Sequence, residues 1–114
     1  MRRTVSALLV LLAAAAVPAA RAQPVLSDAQ LRGRQIFAQS CGICHLQPSL
    51  GVKTYGPALN RTATAGNDDV MRAFIVNGTD RMPSFKYYLK PDEIDAIIAY
   101  LRTVPEPASK GDAR

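Results

Sequence analysis

The two cysteines and the single histidine of this 114-residue chain stand within five consecutive positions, Cys41-Gly42-Ile43-Cys44-His45. Chance placement gives this C-x-x-C-H pattern on the order of once in ten thousand trials, so it is treated as chemistry. It also constrains the fold. Both thiols and the imidazole are spent in one turn of chain, and no other cysteine is left for a stabilising disulfide. A chain this short has a marginal core of its own.

C-x-x-C-H is the attachment signature for c-type haem. Two thiols at this spacing can each form a thioether to one haem vinyl group, and the next residue, His45, is then held beneath the iron as its proximal ligand. A haem also offers a large apolar plate to pack against. Three other readings compete. A thioredoxin-like dithiol needs a βαβ context, which the pattern of this chain does not supply. A zinc site would lack a fourth soft ligand. A short disulfide would leave His45 without a role.

The first 22 residues read as a cleaved secretory signal peptide. Arg2-Arg3 is a positive start, Val5 to Val17 an apolar run, and Ala20-Arg21-Ala22 a small-residue cleavage site. The run is shorter than the roughly 20 residues a membrane-spanning helix needs. Cleavage after Ala22 sends the chain to the periplasm, without stable membrane insertion. It also removes three of the 14 basic residues and none of the 9 acidic ones, so the net charge falls from +5 to +2. The basic balance is then no argument for nucleic-acid binding.

Residues 23–104 form the expected domain, and the Pro/Gly-containing residues 105–114 a frayed tail. Ser27 is placed to cap a helix over Asp28–Ser40 that runs into the motif, with Asp28 in its first turn. Gly33 inside it fits either a close helix crossing or a tolerated surface glycine. Residues 46–65 carry Pro48, Gly51, Gly56 and Pro57 without periodicity and read as a loop wrapped on something. Asn67 caps a second helix with Asp68-Asp69 at its positive end, Val70, Phe74 and Ile75 as its apolar stripe, and Gly78 closing it. Met71 is read as packing. Pro91 opens a last helix with Ile94, Ile97, Ile98 and Leu101 on its buried face, ending near Val104.

Between the last two helices, Pro83 pushes Met82 into extended geometry. The iron needs a second axial ligand and no second histidine exists. With Met1 removed, only Met71 and Met82 remain, and Met82 is the better placed.

In this order the parts resemble the class I cytochrome c family over residues 27–104. The resemblance implies an all-α cytochrome c fold, with three main helices and long loops wrapped around one covalent haem c. The family's G-x-x-x-F and facing aromatic are matched by Gly33, Phe37 and Tyr100, with Ile97 and Leu101 adjoining. Its G-P-x-L is matched by Gly56-Pro57-Ala58-Leu59, where the proline carbonyl accepts the ring N–H of the proximal histidine. Its methionine turn is matched by Met82-Pro83-Ser84-Phe85. The implied haem-binding set is Cys41, Cys44, His45, Pro57 and Met82, with His45 and Met82 on iron. Residues 46–55 depart from the pattern. The family's dense lysine ring is reduced to Lys53, Arg81, Lys86 and Lys90, which fit either a basic docking face or ordinary solvated charge. Tyr87-Tyr88 beside them fits either surface contact residues or loop core, with core favoured.

The implied function is one-electron transport, with no substrate turned over. Implied partners are a periplasmic dehydrogenase, quinoprotein alcohol dehydrogenases among them, as donor and a terminal oxidase or another cytochrome as acceptor, met as a monomer in transient complexes. Two other readings stay open: a ligand-binding or peroxidatic haem protein with a free sixth position, and an obligate cytochrome subunit of a larger oxidoreductase.

Overall fold

The computed structural model describes residues 25–46 and 54–107. The proposed signal peptide, Lys53 and the Gln47–Leu50 stretch lie outside them. Within the described residues the chain is helical and has no β-strand; α1 spans Asp28–Ser40, α2 Gly42–His45, α3 Asp68–Asn77 and α4 Pro91–Leu101. The all-α fold class read from the sequence is the one observed. No helix among the described residues is long and apolar enough to cross a membrane.

Each main helix starts for a local reason. Ser27 Oγ accepts from Gln30 N at 3.3 Å while Gln30 Oε1 accepts from Ser27 N at 2.9 Å. Two of the free N–H groups at the start of α1 are thereby satisfied. Asn67 Oδ1 caps α3 by accepting from Val70 N at 3.0 Å. Pro91 stands at the start of α4, and Glu93 Oε2 reaches back to Lys90 N at 2.9 Å. α3 stops where Gly78 turns to φ +70°, a region a side chain disfavours.

α1 and α4 cross at Gly33. A Cβ there would overlap the Ala96 carbonyl and stand 2.9 Å from Ile97 N, so this glycine is the close-crossing kind. One turn on, Phe37 meets Tyr100 with ring centroids 5.8 Å apart and tilted by 52°. Such edge-inclined aromatic pairs add about 0.5–1.5 kcal/mol beyond their burial. Phe37, Cys41, Met71, Ile75, Ile94, Ile97, Ile98 and Leu101 make one buried cluster. Ion pairs join the helices outside it: Arg32 to Asp92 and Glu93, Arg72 to Asp95, and Arg102 to Asp68.

Four expectations are corrected. The buried stripe of α3 is Met71 and Ile75, while Val70 and Phe74 are exposed. A 3.6-residue period puts positions 71 and 75 on one face and turns 70 and 74 away from it. α4 ends at Leu101, and Arg102 to Val104 form turns rather than further helix. The loop after the motif contains a short helical turn at Ala63–Gly66, with left-handed backbone at Thr64, Ala65 and Gly66. Tyr87 and Tyr88 are not loop core: they are 88% and 82% exposed. Tyr88 N and Leu89 N both donate to Phe85 O at 3.0 Å, closing a turn that directs Phe85 and Leu89 inward.

Candidate functional site

α1 delivers its chain end directly into the cysteine motif. Cys41 N still bonds Phe37 O at 2.9 Å, and one further helical turn carries Cys44 and His45, whose N–H groups both reach Cys41 O at 3.1 and 3.0 Å. The motif is therefore a rigid extension of α1. Cys41 is buried and Cys44 half-buried, and they do not pair as a disulfide. Burial pushes the Cys41 thiol up to about 11, with the neighbouring Cys44 adding to the effect. Desolvation disfavours the thiolate, so before any thioether forms the Cys41 sulfur carries its proton at neutral pH.

The loop from Thr54 to Leu59 folds back beneath His45. Gly56 N donates to Cys44 O at 2.8 Å and Thr54 Oγ1 donates to Gly56 O at 2.5 Å. These bonds press Gly56 against the imidazole, where a Cβ would stand 2.6 Å from His45 Cε1. The Pro57 carbonyl then lies 2.7 Å from His45 Nδ1. A carbonyl can only accept, so Nδ1 carries a proton. A neutral imidazole held this way keeps its Nε2 lone pair available to a metal.

Met82 reaches the cavity from the return that follows α3. Thr79 N donates to Met82 O at 2.8 Å, and Met82 N reaches Thr79 Oγ1 at 3.1 Å. Gly78 is required under this return: a Cβ would lie 2.7 Å from Ser84 N. Ser84 Oγ donates to Val76 O at 2.6 Å and Phe85 N to Ile75 O at 3.0 Å, which ties the segment to α3.

Cys41, Cys44, His45, Pro57 and Met82 all line one cavity of about 530 Å³. Most of its remaining wall is carbon, from Phe37, Leu59, Met71, Phe74, Phe85 and Leu101 among others. The volume lies in the range of a cofactor site, roughly 300–1,000 Å³. Its heteroatoms include soft and neutral donors: thiol sulfur, an imidazole nitrogen and thioether sulfur. That set suits a haem, whose plate needs apolar walls and whose iron takes nitrogen and sulfur ligands. A zinc centre is not assembled, since among the described residues no three His, Cys, Asp or Glu side chains converge.

Residues outside the expected haem-binding set complete the site. Gly56 gives the imidazole its room, and Thr79 and Ser84 hold the Met82 loop. Tyr55 lines the cavity with the Arg81 guanidinium 5.1 Å from its ring centroid. The hydrogen bonds at Thr79 and Ser84 run between backbone and side chain across a turn. Side-chain identity alone carries little signal of that kind.

Residues 19–101 match the family described as cytochrome c oxidase, cbb3-type, subunit III. The chain is also similar to cytochrome c6 of Nostoc sp. (strain PCC 7120 / SAG 25.82 / UTEX 2576), 32% identical over 96 residues that span 82% of this chain and 86% of the relative. Cytochrome c6 of Anabaena variabilis is 36% identical over 74 residues, 62% of this chain and 86% of the relative. With the helical fold and the donor set around one apolar cavity, these matches make the chain a member of the class I c-type cytochromes, electron-transfer proteins built on haem c and its iron.

Proposed function

We propose that this chain is a periplasmic one-electron carrier whose haem c is joined through Cys41 and Cys44 and ligated by His45 and Met82. The observation that carries the reading is that His45 and Met82 line the same cavity as both thiols, with His45 Nδ1 already committed to Pro57. The haem supplies an Fe(III)/Fe(II) couple when bound. Met82, a soft neutral ligand, favours the ferrous state and so raises the potential. The apolar wall excludes water, and two protein ligands close the site to small molecules. Electron exchange with another protein is the activity that remains.

In this proposal residues 1–22 direct export and are cleaved after Ala22, and residues 23–104 form the working domain; just beyond it Glu106 Oε1 accepts from Thr62 Oγ1 at 2.7 Å. Electrons come from a periplasmic dehydrogenase, the quinoprotein class being a fitting donor, and pass to a terminal oxidase or another cytochrome. A second reading makes the chain a fixed cytochrome subunit, favoured by its match to a family described as an oxidase subunit. Co-purification of the tagged chain with an oxidase after mild detergent extraction supports the subunit reading; recovery as a lone soluble protein supports the carrier.

Met82→Ala tests the core of the proposal. The variant should keep its haem through acid–acetone extraction, lose the weak sulfur-to-iron band at the red end of the ferric spectrum, drop in potential and bind carbon monoxide when ferrous. Met71→Leu, a near volume-conserving change in the buried cluster, should do none of these. A wild-type protein that lacks the sulfur band and binds carbon monoxide fast would be the ligand-binding or peroxidatic alternative.

A further inference from the structure

The loops that carry His45's support and Met82 are held by different parts of the fold. Thr54 to Leu59 is tied to the cysteine motif through Cys44 and His45. The Met82 segment is tied back to α3 through Val76 and Ile75. Among the described residues no hydrogen bond joins residues 54–59 to residues 79–85. One contact does span them. The Arg81 guanidinium carbon stands 5.1 Å from the Tyr55 ring centroid, and both residues line the cavity.

Each partner sits next to the chemistry. Tyr55 directly precedes Gly56 and Pro57, which pack on and hydrogen-bond the imidazole. Arg81 directly precedes Met82. Its backbone N is fixed on Thr79 Oγ1 at 3.2 Å, so its side chain leaves the loop from an anchored start. The four ion pairs among the described residues use Arg32, Arg72 and Arg102, not Arg81. An arginine cation is drawn to the face of an aromatic ring within about 6 Å of its centroid. Met82 needs such a tether, because Pro83 offers no backbone donor and the Met82 N–H bonds only to Thr79, within its own turn.

We infer that Tyr55 and Arg81 form a latch that holds the Met82 loop against the His45 side of the cavity, making Arg81 a positioning residue for Met82. The inference rests on the ligand assignment proposed above. The latch sets how often the Met82 sulfur leaves its place, and so how often the sixth position opens.

The readout is the rate at which the ferrous protein takes up carbon monoxide. That ligand is neutral, so loss of the Arg81 charge does not itself change its approach, and uptake waits on Met82 departure. Tyr55→Leu and Arg81→Gln should each speed uptake about two- to fivefold, the range of one exposed cation–π contact. Tyr55→Phe keeps the ring and should stay near the wild-type rate. The double variant Tyr55→Leu/Arg81→Gln should be no faster than either single, because one shared contact is lost once. Unchanged uptake in both singles, or effects that multiply in the double, would overturn the latch. A wild-type protein without the sulfur band and with fast uptake would overturn the Met82 assignment and, with it, the latch. The redox potential separates charge from tethering: Arg81→Gln should lower it more than Tyr55→Leu, since only the first removes a cation.

Discussion

His45 Nδ1 donates to the Pro57 carbonyl over 2.7 Å, and the intervening Gly56 leaves room for the ring with nothing to spare. A Cβ at Gly56 would stand 2.6 Å from Cε1 and 2.8 Å from Nδ1. If the loop holds, the imidazole must turn away from Pro57. Gly56→Ala should therefore lengthen the Nδ1 bond, loosen the ring and weaken the iron ligation proposed for His45. The expected result is a shifted potential and a stability loss of about 1–3 kcal/mol, the usual range for overpacking. Potentiometry and urea denaturation of the haem-loaded protein check it; unchanged values for both would show that the loop, not the ring, gives way.

At the α1–α4 crossing the added atom meets backbone rather than a side chain. A Cβ at Gly33 would overlap the Ala96 carbonyl, and no rotamer change can relieve that. Gly33→Ala gains about 0.5–1 kcal/mol of helix preference but must separate the two helices and loosen Phe37 against Tyr100. A net loss of about 1–3 kcal/mol is expected, with a lower thermal midpoint. A stabilised variant would mean that the helices can part without cost.

The left-handed turn at Thr64, Ala65 and Gly66 gives the opposite sign. Ala65 is exposed and sits at φ 51°, a conformation that costs an L-residue roughly 1–2 kcal/mol. Glycine escapes that cost, at about 0.5–1 kcal/mol of extra chain entropy. Ala65→Gly should raise stability by about 0.5–1 kcal/mol in urea denaturation, without moving the potential. A destabilised variant would show that the turn is not strained.

Lys86 and Lys90 are exposed on the turn that follows the Met82 segment, and neither takes part in an ion pair among the described residues. With Arg81, which lines the cavity, they are the residues of the proposed basic face for an anionic partner. Charge reversal, Lys86→Glu with Lys90→Glu, should slow oxidation of the ferrous protein by ferricyanide severalfold at low salt. The difference should fade as ionic strength rises and the screening length falls toward about 8 Å. Equal rates at low salt would sink the basic-face idea.

The local signals in the chain were sufficient for most of the frame. Ser27, Asn67, Gly78 and Pro91 act on their immediate neighbours through caps and φ preferences, so they mark helix ends without reference to the rest of the molecule. The spacing of Cys41, Cys44 and His45 likewise specifies one turn of chain, and α4 shows its buried face as Ile94, Ile97, Ile98 and Leu101. What needed the tertiary structure were choices between equal local options. Gly33 reads the same whether it faces water or Ala96; only the crossing decides. Val70, Phe74 and Ile75 are all apolar, and burial falls to Met71 and Ile75, which join the α4 residues in the buried cluster, while Phe74 lines the cavity without being buried. Tyr87 and Tyr88 look like core by composition, but the turn closed on Phe85 leaves their side chains outside. Tyr55 and Arg81 are 26 positions apart in the chain, and a contact across that distance depends on two loops converging at one cavity, which no local pattern encodes.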